Sequence, residues 1–304
     1  MFDFSILSDA LAIDPNSVAT VFINDFHNIA FAYDFGVIAA DAVAVQHDVV
    51  VLIAPDARQQ ATQIEFGHIA HSKQQHSRIE AIERYGKNIV FRLRQNSGRD
   101  GNLFLLVHLG MTGRLICERS PEAVTRHTHM VLSLDEPGRW LHYSDIRRFG
   151  RIGLTDRLPD ALSELGPEPL EISAEEFVAR LRSRRSMLKS LLLDQRFLRG
   201  LGNIYADESL FRAGIHPAAQ AARLRRIRAL RLYDGIRETL SLAIRQGGSS
   251  ISDYVDGEGR RGFFQLEHQV YRRTGEPCLR CGTRIRKLII ASRSTHFCPK
   301  CQRK

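Results

Sequence analysis

Four cysteines within the last 27 residues constrain this chain more than any other feature. They run Cys278-x2-Cys281-x16-Cys298-x2-Cys301. Each tight Cys-x2-Cys turn offers two thiolates, and two such turns at this spacing suit tetrahedral zinc. Four protein ligands leave no open position, so one structural Zn2+ is expected and no metal catalysis. The residues between the turns, with Ile285, Leu288, Ile289 and Ile290, predict a β-hairpin. A unit this small folds only around its metal. Zinc ribbons serve many functions, so the motif identifies the metal and leaves the reaction open. The fifth cysteine, Cys117, lies in an apolar stretch and reads as a buried thiol, with no disulfide framework.

The 304 residues suffice for two domains and a small appendage. Their charge is distributed unevenly. Residues 1–72 carry one basic side chain, Arg58, against nine acidic ones. The remainder carries 42 basic against 25 acidic, a balance of +17. A basic body of that size suits a polyanion, because Lys and Arg that neutralise phosphates release counterions; a solubilising surface charge fits the same count. No apolar run approaches the roughly 20 residues of a membrane span, and no secretory signal is evident at the start. A soluble, intracellular protein is expected.

The first 60 or so residues are rich in Ala, Val, Asp and Ile and poor in turn signals, with one strand candidate at Val49–Ile53. From about Arg78 short strand candidates follow one another: Asn88–Arg94, Leu103–His108, Met130–Leu134 and Trp140–Tyr143. Turn-rich segments separate them, a spacing that suggests a β-sandwich or barrel. Pro167–Pro169 reads as a linker. Beyond it, Ser173-Ala-Glu-Glu176 is a capping-box pattern, and helices are predicted over Arg185–Leu193, Ala206–Ala213 and Arg225–Gln246. Gly247-Gly248 stops the last helix, and a loop rich in Gly, Asp and Arg runs from Ser249 to Gly262.

Four further segments now acquire meaning: His108-Leu-Gly-Met-Thr-Gly-Arg114, Asp145-Ile-Arg-Arg-Phe-Gly150, Gly200-Leu-Gly-Asn-Ile-Tyr-Ala-Asp-Glu208 and Ala291-Ser-Arg-Ser-Thr-His-Phe-Cys298. With the cysteine pattern, and in this order, they resemble the formamidopyrimidine-DNA glycosylases over roughly residues 78–304. The Arg-Ser-Thr-His run before Cys298 is more similar to that family than to its sister group, the endonuclease VIII proteins. The resemblance implies an α+β multidomain protein. Its parts are an atypical segment over 1–65, a β-sandwich over 66–160, a helix–two-turn–helix domain over 170–262 and a zinc-finger β-hairpin over 268–304. It also implies a bacterial, cytoplasmic, nucleoid-associated monomer. Such a protein binds double-stranded DNA with oxidised or abasic sites between its lobes, flips out oxidised purines such as 8-oxoguanine, and cleaves the backbone by β,δ-elimination.

The resemblance also assigns roles. Met111, Arg147 and Phe149 match the triad that fills the gap left by an extruded nucleotide; without the family, Met111 and Phe149 would be ordinary core. Asn203 matches a phosphate-holding residue, and glycines beside it let the backbone approach closely. His108, His127, Arg185 and Lys189 match positions that contact DNA or the lesion. Lys87 matches the lysine that assists β-elimination, and Arg293 the arginine of δ-elimination, whose planar fork spans two phosphate oxygens. The stretch Ser249–Gln265 matches a loop that closes over the flipped base, with Gly257, Gly259 and Gly262 giving it mobility.

One departure stands out. The family begins Pro-Glu-Leu-Pro-Glu-Val-Glu, and its N-terminal proline amine is the nucleophile; this sequence begins Met1-Phe-Asp-Phe and carries that motif nowhere. A wrong start or shifted reading frame over residues 1 to about 65 is one explanation, given their scarcity of basic residues. A natural variant that kept damage binding and lost the nucleophile, a non-catalytic damaged-DNA binding protein, is another. Substitution by the Met1 α-amine is a third, since an amine of pKa near 8 is partly neutral at pH 7.

Overall fold

The computed structural model describes residues 18–23, 43–51, 75–95, 102–134, 139–250 and 255–304. The strands are β1 (Val18–Ile23), β2 (Val43–Val51), β3 (Gln75–Tyr85), β4 (Asn88–Gln95), β5 (Asn102–His108), β6 (Gly113–Glu118), β7 (Thr128–Leu134), β8 (Trp140–Asp145) and β9 (Arg151–Thr155). They form one sheet in the order β6-β8-β7-β1-β2-β3-β4-β5-β9, with β7 also pairing β2. Strands β1 and β2 pair in parallel, Val18 opposite Asp48, and the other strand pairs among the described residues are antiparallel.

Alternation explains how this sheet makes a core. On β4, Ile89, Phe91 and Leu93 share one face, and on β5 Leu103, Leu105 and Val107 do the same. These residues pack in a single cluster with Leu115 of β6, Met130 and Leu132 of β7, and Leu141 and Tyr143 of β8. Both ends of the strand order therefore meet across one core, so the sheet folds back on itself as a sandwich does. The compositionally odd N-terminal stretch supplies β1 and β2 to this sheet. Of its predicted strand Val49–Ile53, the first three residues lie in β2, and 52–53 lie outside the described residues.

Helices follow: α1 (Asp160–Ser163), α2 (Ala174–Arg182), α3 (Leu188–Leu193), α4 (Asn203–Arg212) and α5 (Arg226–Arg245). The Ser173 hydroxyl accepts from the Glu176 amide at 3.1 Å, as the capping pattern requires. Two helix starts differ from the sequence expectation. Arg185–Met187 stays outside α3, because Met187 is extended and bridges Gln220. The helix expected from Ala206 begins at Asn203, directly after an extended Gly202. Phe177, Phe197, Leu201, Leu210, Leu232 and Leu240 form the core of this lobe.

The segment 167–169 is no free tether. Glu168 is buried, with Arg84 Nη2 of β3 lying 2.6 Å from its Oε1, and Arg199 Nε donating to its Oε2 at 3.0 Å. The Arg84 side chain is 2% exposed. One carboxylate thus ties the sheet to the helices, a pairing hidden from any reading of proline spacing. Breaking such a pair strands two guanidinium groups. Glu168→Ala is expected to lower stability by about 3–5 kcal/mol, measured as a shifted urea midpoint. An unchanged midpoint would mean that the seam does not depend on this charge.

Candidate functional site

The sheet lobe presents most of the predicted residues at one end. Lys87 sits in the turn between β3 and β4, half-buried. The strand register sets Asn88 opposite His108, and His108 opposite Arg151. His108 is pushed down to about 4, first by burial and then by the Lys87 and Arg151 charges. Its imidazole is therefore neutral at pH 7. The Gly110 amide donates to its Nδ1 at 3.1 Å, which leaves the proton on Nε2.

Two loops meet beside His108, and the buried Asp145 carboxylate organises them. Thr112 Oγ1 donates to its Oδ1 at 2.5 Å, and the Gly150 amide donates to its Oδ2 at 2.7 Å. The Arg147 amide donates to both Oδ1 (3.2 Å) and Thr112 Oγ1 (3.1 Å). The Asp145 backbone joins in: its amide donates to the His127 carbonyl at 2.9 Å, and its carbonyl lies 2.8 Å from His129 Nε2. Two glycines permit this closeness. A Cβ on Gly110, at φ +61°, would lie 2.4 Å from the Gly150 nitrogen, and one on Gly150 would lie 1.7 Å from the Tyr143 hydroxyl. The result is a rigid base from which Arg147 projects, its guanidinium 4.6 Å from the Phe149 ring centroid. Met111 and Phe149 are half-buried and Arg147 is exposed. His127, also half-buried, accepts at Nε2 from Arg126 Nε at 2.9 Å.

The second group belongs to the helices and the C-terminal hairpin. Strands β10 (Arg286–Ile290) and β11 (Arg293–Phe297) pair across a two-residue turn, Ala291 and Ser292, both at positive φ. Arg293 stands at the tip, half-buried. Asn203 Nδ2 donates to the Ser294 carbonyl at 3.0 Å, so Asn203 and the Arg293 turn lie side by side. Beneath them the fully buried Asp207 accepts from the His296 amide at 2.9 Å and from Lys189 Nζ at 2.8 Å. Glu208 accepts from the Gln269, Val270 and Tyr271 amides at 2.8 to 3.0 Å. Burial raises its pKa, and those donors oppose the shift.

Lys189 departs from expectation. Its side chain is 0% exposed, and Nζ also donates to the Asn203 carbonyl at 2.8 Å. Its ammonium joins α3 to α4, Asp207 carries the link on to the finger, and Nζ has no surface to offer DNA. Arg185 is exposed on the loop between α2 and α3. Asp145, Asp207, Glu208 and Glu168 were missed as organising residues. The available signal was a carboxylate inside an apolar run, such as Asp207-Glu208 between Ala206 and Leu210.

The two groups face one seam. A Cβ on Gly86, next to Lys87, would lie 3.3 Å from Arg199 Cβ and 3.5 Å from the Gly200 nitrogen, where the segment leading to Asn203 begins. The loop after α5 also crosses between lobes: the Cys117 amide of edge strand β6 donates to the Gly257 carbonyl at 2.9 Å. Cys117 is accordingly half-buried rather than buried, because an edge strand has one flank open. Of the loop's glycines, Gly257 and Gly262 are buried and Gly259 is exposed; residues 251–254 lie outside the described residues.

The four cysteine sulfurs lie within 4.8 Å of one another, with Cys278–Cys301 at 3.9 Å and Cys281–Cys298 at 3.5 Å. Metal–sulfur bonds of about 2.3 Å in a tetrahedron place sulfurs about 3.8 Å apart, and a disulfide would need about 2.05 Å. The donor set fits a structural zinc ion held by all four thiolates. Burial, followed by hydrogen bonds that its own thiol donates to the neighbouring sulfurs, pushes Cys301 up to about 12. A divalent cation offsets that crowding of negative charge.

Comparison with known proteins agrees with this geometry. Residues 43–152 match the family model of the formamidopyrimidine-DNA glycosylase N-terminal domain. Residues 165–255 match its H2TH domain, and 275–303 the zinc finger found in FPG and IleRS. The formamidopyrimidine-DNA glycosylase of Solibacter usitatus (strain Ellin6076) is 53% identical over 227 residues, 75% of this chain and 82% of that protein. Its counterpart from Heliobacterium modesticaldum is 47% identical over 235 residues, covering 74% and 82%. Among solved structures, the MutM (Fpg) protein of Thermus thermophilus superposes with a TM-score of 0.65 at 42% identity, over 74% of this chain and 83% of that one. Lactococcus lactis Fpg in complex with abasic-site DNA gives 0.67 at 38%, over 75% and 83%.

Because Arg293 rides on the zinc hairpin, removing the metal with a chelator, or by Cys298→Ser, is expected to abolish DNA binding while the sheet lobe stays folded. Titration of labelled duplex, with near-UV circular dichroism alongside, measures both. Undiminished affinity after verified zinc loss would sink this expectation.

Proposed function

Because this chain belongs to the formamidopyrimidine-DNA glycosylase family, we propose that it excises oxidised purines from duplex DNA and cuts the backbone at the resulting abasic site. The observation that carries this reading is the seam itself. Lys87, His108 and the Arg147–Phe149 stack occupy one end of the sheet lobe, and the Gly200 segment leading to Asn203 and the Arg293 turn lies directly against it.

Each residue has a role that its surroundings support. Base extrusion leaves a hole in the stack, and a wedge must fill it without collapsing. Phe149 and Met111 supply apolar faces, and Arg147, held over Phe149, reaches into the gap. Asp145 is the positioning residue for all three. His108, neutral at pH 7, offers a hydrogen bond from Nε2 without adding charge. No side chain caps α4, and a helix start of this kind holds a phosphate through backbone amides beside Asn203. His127 contributes at the rim of the same sheet end, and Arg185 grips backbone farther along the duplex. Zinc supplies no chemistry; it stiffens the hairpin that presents Arg293.

The lyase step requires an amine that forms an imine with the sugar C1′, followed by proton removal from C2′ and loss of the 3′ phosphate. Lys87 assists this β-elimination, and Arg293 grips the 5′ phosphate as it leaves in the δ-step. The protein works as a monomer in the bacterial cytoplasm, at the nucleoid; no described helix is long and apolar enough to cross a membrane.

The test is incision of a duplex carrying a single 8-oxoguanine, with borohydride trapping on abasic-site DNA in parallel. Strand cutting and a covalent adduct are expected, and peptide mapping identifies the amine. Lys87→Gln should slow elimination by roughly 10²-fold. Arg293→Gln should leave products cut on the 3′ side only. A damaged-DNA binder without chemistry is the outcome that would overturn this reading. Tight lesion binding with neither adduct nor incision would select it.

A further inference from the structure

The helical lobe carries a basic face that the lesion site does not use. Residues 223–231 hold five arginines and no acid. Arg223, Arg225, Arg226 and Arg231 are exposed, while Arg228 Nη2 donates to the Arg303 carbonyl at 2.6 Å, bringing the C-terminal Arg303-Lys304 alongside. The α2–α3 loop joins the same face: the Ala221 amide donates to the Ser186 carbonyl at 3.0 Å and Met187 bridges Gln220, so Arg185 lies against the run that starts at Arg223. The acids near it are Glu175, 3.7 Å from Arg226 and itself exposed, and Asp234, one turn beyond Arg231. Arg225 occupies the N-cap position of α5 without a side-chain capping bond, and the first turn holds no acid, so these charges oppose the helix dipole instead of complementing it. Folding gains nothing from such an arrangement, and a polyanion does.

The face connects to the lesion site through α3. The Lys189 amide donates to the Pro217 carbonyl at 3.0 Å, while its Nζ reaches the Asn203 carbonyl. The loop of residues 217–220, which leads into the basic run, is therefore joined to Asn203 through Lys189. We propose that it is a second DNA surface, which holds the phosphate backbone of the same duplex beyond the lesion and reads no sequence. This rests on the repair reading above.

The experiment measures affinity against salt for lesion-bearing duplexes of about 12 and about 40 base pairs, each phosphate contact adding about 0.9 to the slope of log K against log salt. For Arg223→Gln/Arg225→Gln/Arg226→Gln, the slope on the long duplex is expected to fall by about 2–3, with short-duplex binding and incision unchanged. Equal slopes for wild type and variant on the long duplex would overturn the proposal and leave a solvated face. An equal loss on both lengths would also overturn it, assigning these arginines to the lesion cleft. If the triple variant does not fold, Arg223→Gln/Arg231→Gln serves, with a fall of about 2 expected. Failure of the wild type to recognise the lesion in the short duplex would instead refute the repair reading, and needs no variant to detect.

Discussion

Glu168 lies between the sheet and the helices, closed off from water, with the guanidinium groups of Arg84 and Arg199 on its two oxygens. The position of everything functional follows from it. Arg84 stands three residues before Lys87 on the same strand-and-turn, and Arg199 precedes the segment that delivers Asn203. A buried carboxylate between two arginines is costly to expose and costly to leave half-paired. It therefore fixes the relative placement of two lobes whose hydrophobic cores are separate.

The same device recurs at smaller scale. Asp145 gathers two hydroxyls, of Thr112 and Tyr143, and two backbone amides to hold the Arg147–Phe149 loop against the Thr112 loop. Asp207 gathers Lys189 and His296 to fasten the finger onto α4. In each case a buried acid organises cations or amides so that other, exposed cations are presented in a fixed geometry. A strongly basic protein that binds a polyanion needs this, because its own positive charges repel one another and would splay apart without internal counter-charges.

Rigidity at the Arg147–Phe149 loop has a steric origin as well. Gly110 and Gly150 are packed so closely on neighbouring backbone and on Tyr143 that no side chain could replace either hydrogen. The Arg147–Phe149 loop is thereby held in one conformation. The loop after α5 bridges differently, through one backbone bond between Gly257 and Cys117.

Much of this was legible in the sequence. Four cysteines at that spacing dictated the metal, because tetrahedral thiolate geometry admits few alternatives. Alternating residues such as Ile89, Phe91 and Leu93 dictated strands, and the ordered motifs dictated the family. Helix starts were less legible, since Met187 is held extended by Gln220, a partner 33 positions away. Lys189 shows the limit most plainly. A lysine beside an apolar run reads as an exposed cation, and only the arrival of Asp207 from the next helix turns it into a buried strut. The sequence by itself determined the metal, the basic balance and the local periods, because these depend on neighbours along the chain. Which charges face inward to hold the lobes, and which face outward to meet phosphate, only the tertiary structure decided, because burial and pairing are set by groups distant in sequence.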